Sequence, residues 1–129
     1  MKKIIMIGGL LSSLTTGFAS EKLDCGLFKG MATGEPVKTA TADLSQDSIY
    51  VYETNQKERA SVSISSIETE VSSYIQVRIS QPEDYNEIVF DKSVLLAMEE
   101  GKSFALTINA AKENRMTAVC YKGKAGFRK

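Results

Sequence analysis

Arg115-Met116-Thr117-Ala118-Val119-Cys120-Tyr121 is the last apolar run of the chain, and it carries one of only two cysteines, the other being Cys25. Met116, Ala118 and Cys120 alternate with Thr117, Val119 and Tyr121, the period of a β-strand with Cys120 on its inward face. At the other end, Leu23, Cys25 and Leu27 alternate with Lys22, Asp24 and Gly26, so Cys25 also points inward. Joined, the two cysteines span 95 residues. Loop-closure entropy then gives about 4 to 5 kcal/mol of stabilisation. The expectation is a Cys25–Cys120 disulfide that makes the first and last strands neighbours. A redox or metal role is disfavoured, because the cysteines lie far apart in sequence and the chain has no histidine.

A disulfide needs an oxidising compartment, and the start of the chain agrees with one. Lys2 and Lys3 precede the apolar run Ile4 to Leu11, and Gly17-Phe18-Ala19 places small residues where a signal peptidase reads them. Residues 1–19 therefore read as a signal peptide, with the mature chain starting at Ser20. Ser12, Ser13, Thr15 and Thr16 interrupt the run before it could span a bilayer. A lipid attachment at Cys25 is disfavoured by Leu23-Asp24, where small residues are needed. Residues 20–129 form a single β-rich domain exported to the periplasm or the exterior.

Cleavage leaves 14 basic residues against 16 acidic ones, a net charge of −2. That balance argues against nucleic acid as a partner. Lys122, Lys124, Arg128 and Lys129 form a local basic cluster, which reads as a solvated tail.

Between the cysteine strands the chain is a series of short alternating segments. Val37 to Leu44 is weakly patterned, whereas Ile49 to Glu53 is rich in β-branched and aromatic residues. The polar tip Asn55 to Glu58 reads as a hairpin loop. Ala60, Val62 and Ile64 then alternate with Ser61, Ser63 and Ser65, and Ile75, Val77 and Ile79 alternate with Tyr74, Gln76 and Arg78. Such segments suit antiparallel sheets with one buried and one wet face. Ser80 followed by Glu83 resembles a capping box, but a helix from there to Glu100 would place Lys92 on its apolar face. The better reading is a short strand over Glu87 to Phe90, then a helix capped by Ser93, running over Val94 to Glu100 and stopped by Gly101. Phe104, Leu106, Ile108 and Ala110 form a further strand.

The pattern predicts an all-β fold: a small antiparallel β-barrel or sandwich of about seven to eight strands, with one short helix near residues 93–100. An up-and-down barrel makes the first and last strands adjacent. A five-stranded OB-like barrel is the alternative.

Catalytic constellations are sparse. Without histidine a Ser-His-Asp or Cys-His hydrolase is excluded in its usual form, and no Ser-x-x-Lys spacing occurs. Gly101-Lys102-Ser103 resembles the end of a phosphate loop, but Leu96 stands where the first glycine is required. A carboxylate-based glycosidase could draw on Glu83, Asp84 and Glu87, or on Glu99 and Glu100, yet these sit in segments where acidic residues are ordinary solvated charges. No catalytic residue, metal site or cofactor is expected. Tyr50 and Tyr52 share one strand face and Tyr74 points outward from another, so the three are candidates for an exposed aromatic binding surface. The function expected is an exported binding or protein-interaction module, an inhibitor being one form of it, whose partner is a protein or a carbohydrate. An envelope-associated assembly protein is the structural alternative, and the glycosidase the enzymatic one.

Overall fold

The computed structural model describes residues 21–31, 34–109 and 113–123. The predicted signal peptide, Ala110 and most of the basic tail lie outside them. Eight strands and one helix follow in order: β1 (Lys22–Lys29), β2 (Lys38–Asp43), β3 (Tyr50–Asn55), β4 (Ala60–Glu68), β5 (Ser73–Gln81), β6 (Asp84–Asp91), α1 (Lys92–Ala97), β7 (Ser103–Ile108) and β8 (Met116–Lys122). One four-stranded sheet has the order β2-β1-β8-β7 and the other β3-β4-β5-β6, all pairs antiparallel.

The all-β class with one short helix is as expected, but neither the closed barrel nor the five-stranded alternative describes the architecture. Consecutive strands do run side by side and β8 returns to β1, the order of an up-and-down barrel. The ladders, however, are absent at two seams among the described residues: β2 pairs with β1 but not with β3, and β7 pairs with β8 but not with β6. Side chains cross these seams in place of backbone. At the β6–β7 seam Asn86 Nδ2 donates to Thr107 O at 3.2 Å, the Asn109 N–H donates to Asp84 Oδ2 at 3.0 Å, and the Phe90 and Phe104 rings meet at 4.8 Å. At the β2–β3 seam Asn55 Nδ2 donates to Val37 O at 3.5 Å, and Lys38 faces Glu53 at 3.8 Å. The result is a sandwich-like pair of sheets whose inner faces fill with aliphatic side chains.

The core takes Leu23, Cys25 and Leu27 from β1, Val62 and Ile64 from β4, Ile75, Val77 and Ile79 from β5, and Ile108, Met116 and Cys120 from the last two strands. These are the inward residues of the alternation, and together their burial supplies the main driving force for folding. Outward expectations fail in three strands, since Ser61 on β4 and Thr117 on β8 are buried as well as the outward residues of β1. β1 is buried on both faces, with Asp24 and Phe28 each only 4% exposed. Asp24 is satisfied across the ladder, where Thr41 Oγ1 donates to its Oδ1 at 2.9 Å.

The segment between β6 and β7 also departs from expectation. β6 begins at Asp84, earlier than predicted, and runs straight into α1. The helix cap is Asp91, whose Oδ1 accepts from the Ser93 N–H at 2.9 Å, so Ser93 is inside the helix and not its cap. Asp outcompetes Ser here because its carboxylate reaches both the Ser93 amide and the Ser93 hydroxyl. The helix stops at Ala97, and Gly101, at φ +94°, serves the later turn in which the Lys102 N–H donates to Glu99 O. Leu95 is the helix's buried residue and plugs the core beside β5 and β6.

Candidate functional site

The outer face of the β3–β6 sheet is built by the register. One row across the four strands reads Tyr50, Ser65, Gln76, Val89, and the next Tyr52, Ser63, Arg78, Glu87. Tyr50 and Tyr52 are 73% and 53% exposed on the edge strand β3. The serines of β4 leave a low strip beside the two rings, because a hydroxymethyl group rises little above the sheet. On the far side of that strip, Arg78 stacks over the Tyr85 ring at 4.2 Å and faces Glu87 at 3.5 Å. Tyr74 lies on the same face, but half-buried on β5 opposite Ile67 and Asp91, two strands away from the β3 tyrosines. The structure thus brings Tyr50 and Tyr52 together and leaves Tyr74 apart from them. Tyr85, which the sequence did not single out, is the aromatic of the opposite margin.

This face runs over one end of the sandwich onto the β3–β4 and β5–β6 turns, with Asn109 and Asn114 beside them. The β3–β4 turn is organised by Asn55, whose Oδ1 accepts from the Glu58 N–H at 2.8 Å, and by the Arg59 N–H, which donates to Gln56 O at 3.3 Å. The β5–β6 turn has two central residues, Pro82 and Glu83, between the paired Gln81 and Asp84. Two-residue hairpins favour positive φ at the first central position, which proline cannot adopt, yet the ladder stays paired up to Gln81 and Asp84. Gln81 ties the connections together: its Nε2 donates to Glu58 O at 3.4 Å and its Oε1 accepts from Asn109 Nδ2.

Two grooves meet at this end. The first, of about 400 Å³, is bordered by Lys57, Arg59, Pro82, Glu83 and Asn114. The second, of about 330 Å³, runs from Tyr52, Thr54 and Gln56 to Ser80 and Pro82. Arg59, Gln81 and Pro82 border both and form the ridge between them. Arg59 and Asn109 are also the two non-glycine residues at positive φ among the described residues, at 57° and 52°. Of the grooves' binding features only Tyr52 was singled out in the sequence, where Asn55 to Glu58 is a polar tip. The one signal of that tip is that it contains no glycine at all.

The carboxylate candidates are dispersed. Glu87 is paired with Arg78, Asp84 receives the Asn109 amide across the β6–β7 seam, and Glu83 lies on the groove margin. Glu99 and Glu100 lie beyond α1, where the Glu100 side chain packs beside Gly123. Among the described residues no group of three or more His, Cys, Asp or Glu could hold a metal ion.

Lys122 departs from the reading of a solvated tail, whose other members, Lys124, Arg128 and Lys129, lie outside the described residues. It is fully buried on the inward face of β8, and its Nζ donates to Leu96 O at 2.8 Å and Met98 O at 2.9 Å. Burial pushes its ammonium below the usual lysine range, against the opposing pull of Glu21 and Glu100. The side chain satisfies carbonyls at the end of α1 and so pins the helix to the last strand. Asp43 and Asp91 are both held below the usual carboxylate range, first by the hydroxyl of the serine two residues on and then by that serine's amide. These are turn and cap devices, remote from the grooves in chain position.

Cys25 and Cys120 are paired, with their sulfurs 2.13 Å apart. Among the described residues no helix is long and apolar enough to cross a membrane. Comparison with known proteins finds no matching family model, no matching curated protein and no matching solved structure.

Proposed function

We propose that the protein is an exported binding module whose contact surface is the outer face of the β3–β6 sheet together with the grooves at its end, and that it acts without catalysis. The observation that carries this reading is the exposure of Tyr50 and Tyr52, 73% and 53%, beside a strip of serines. Tyrosine offers large, rigid contact area with a polar tip and is favoured at interfaces for that reason. The face is a better contact surface than the edges, because each edge strand of one sheet stands beside an edge of the other: β2 by β3 and β6 by β7. The disulfide and the leader-like residues 1–19 support export.

The test compares wild-type residues 20–129 with the Tyr50→Ser/Tyr52→Ser double variant in capture from the producing cells' own envelope and secreted fractions. A partner retained by the wild type and lost by a double variant of unchanged melting temperature supports the reading. Equal capture by both, or a partner footprint confined to the β2-β1-β8-β7 sheet, overturns it.

A further inference from the structure

An apolar strip crosses the outer face of the β3–β6 sheet at the end opposite the grooves. Ile67 and Tyr74 are direct partners in the β4–β5 ladder. Tyr50, opposite Ser65, stands on the diagonal from Ile67, and Val89, opposite Gln76, on the diagonal from Tyr74. Diagonal neighbours of this kind are about 7 to 8 Å apart, within reach of large side chains. Ile67 and Val89 are 38% and 47% exposed, and beyond them the β4–β5 turn carries Val71, 89% exposed. Turn tips are usually Gly, Asn, Asp or Ser, and this turn is held without its valine. The Thr69 Oγ1 accepts from the Val71 and Ser72 N–H groups at 3.3 and 3.0 Å, and the Thr69 N–H donates to Ser72 O at 2.9 Å. A fixed tip therefore presents an aliphatic side chain that the rest of the fold scarcely covers.

The charge around the strip is one-sided. Residues 44–50, 65–78 and 87–94 carry the strip and the two turns beside it, and they hold five carboxylates: Asp47, Glu68, Glu70, Glu87 and Asp91. Their only cations are Arg78 and Lys92, which leaves a net charge of −3. Arg78 pairs with Glu87 at 3.5 Å. The Ser73 and Ser93 hydroxyls that bond Glu68 and Asp91 are neutral, as is the Gln46 O that Lys92 meets, so they cancel no charge. The remaining described charges at this end do not restore the balance, since Glu21, Asp43, Glu99 and Glu100 outnumber Lys22, Lys102 and Lys122. An exposed apolar patch with a charged rim is the pattern of a protein-contact site. Ile67, Val71 and Val89 offer a sugar neither a hydrogen bond nor a flat ring, and the carboxylates repel an anionic membrane surface. A protein segment whose apolar side chains are flanked by lysine or arginine complements both features.

We propose that this strip docks a basic segment of a partner protein, whose apolar side chains cover Ile67, Val71 and Val89 while its cations meet Asp47, Glu68 and Glu70. This rests on the reading of the protein as a binding module and names the chemistry of the partner on that face.

The experiment is titration of mature protein with an octapeptide of alternating lysine and leucine, beside octapeptides of alternating glutamate and leucine and of alternating lysine and serine. The lysine–leucine peptide should bind, each counterpart should bind about ten-fold or more weakly, and added salt should weaken the binding. Val71→Ser is the informative variant, because a side chain this exposed contributes little to folding. Its melting temperature should match the wild type's, and its affinity should fall by about five-fold or more, the scale of one lost buried valine contact. Glu70→Lys should lower affinity by about ten-fold. Glu35→Lys makes the same charge change on the β1–β2 connection and should leave affinity unchanged. Equal loss in Glu70→Lys and Glu35→Lys overturns the proposal, as does wild-type affinity in Val71→Ser or a counterpart peptide binding as tightly. Self-association that Val71→Ser abolishes gives the strip to a second copy, and peptide binding seen only after deletion of residues 124–129 gives it to the chain's own basic tail; either overturns the proposal. No peptide binding, with partner capture still dependent on Tyr50 and Tyr52, overturns this proposal and leaves the binding module standing. Loss of both overturns both.

Discussion

Cys25 and Cys120 are direct partners in the β1–β8 ladder, with their Cα atoms 3.9 Å apart. The bond therefore joins residues that the sheet already places opposite each other. A one-residue slip of β8 would turn Cys120, Ala118 and Met116 out of the core, so disulfide and hydrophobic pattern select the same register.

Removing that bond should destabilise the fold without changing it. The Cys25→Ala/Cys120→Ala variant is expected to lose about 2 to 5 kcal/mol, because the 95-residue separation makes the closed loop long. Denaturant titration measures this. Mass analysis of exported protein should find no alkylatable thiol before reduction and two after it.

Lys122 should be sensitive to a volume-conserving change. Lys122→Met keeps the buried stem but leaves Leu96 O and Met98 O without their donor, an expected loss of about 1 to 3 kcal/mol. The pH dependence has a defined sign. Because burial lowers the lysine's folded pKa, the folded state releases the proton before the unfolded state does, and stability rises with pH between the two values. The neutral amine still has two hydrogens for the two carbonyls. Raising the pH should therefore widen the gap between wild type and Lys122→Met in chemical denaturation.

Asp43 and Asp91 contribute to the acid limb. Both carboxyls are held low by serine hydrogen bonds, so their stabilising contribution is complete above the ordinary carboxylate pKa and is lost as pH falls through the folded value. Asp43→Asn and Asp91→Asn should each flatten the fall in unfolding midpoint between neutral pH and about pH 3. An unchanged acid slope in the double variant would contradict this assignment.

Two glycines separate backbone strain from crowding. Gly101 and Gly123 both have positive φ, but a Cβ at Gly101 meets nothing within 4 Å, whereas one at Gly123 would stand 2.6 Å from Glu100 Cγ. Gly101→Ala should cost about 1 kcal/mol from the backbone alone. Gly123→Ala should cost more, and Glu100→Ala should recover the excess, since the obstructing atoms belong to a flexible side chain. A double-mutant thermal series reads this directly.

Legibility followed the range of the interactions. The Val62–Ile64 and Ile75–Val77–Ile79 alternations are local and period two, and they set both the strands and their buried faces. Tyr50 and Tyr52 were readable as outward because strand geometry alone puts them on one side. Arg59 was not readable as part of a site, since a left-handed residue at a hairpin tip has no hydrophobic period to announce it. Asp24 was misjudged for a related reason: alternation names two faces but not what covers the second.

By itself the sequence determined an all-β chain with strands of known facing, one short helix after the sixth strand, and cysteines in step with the core. Those outcomes follow from side-chain periodicity and from hydrogen bonds between near neighbours. Tertiary structure decided that the β2–β3 and β6–β7 seams are crossed by side chains such as Asn55, Asn86 and Asp84 and not by ladders. It also placed Lys122 beneath the helix end and brought Tyr52 and Arg59 to one groove. Each of these joins residues far apart in the chain, and their meeting depends on how two sheets pack, which no local pattern encodes.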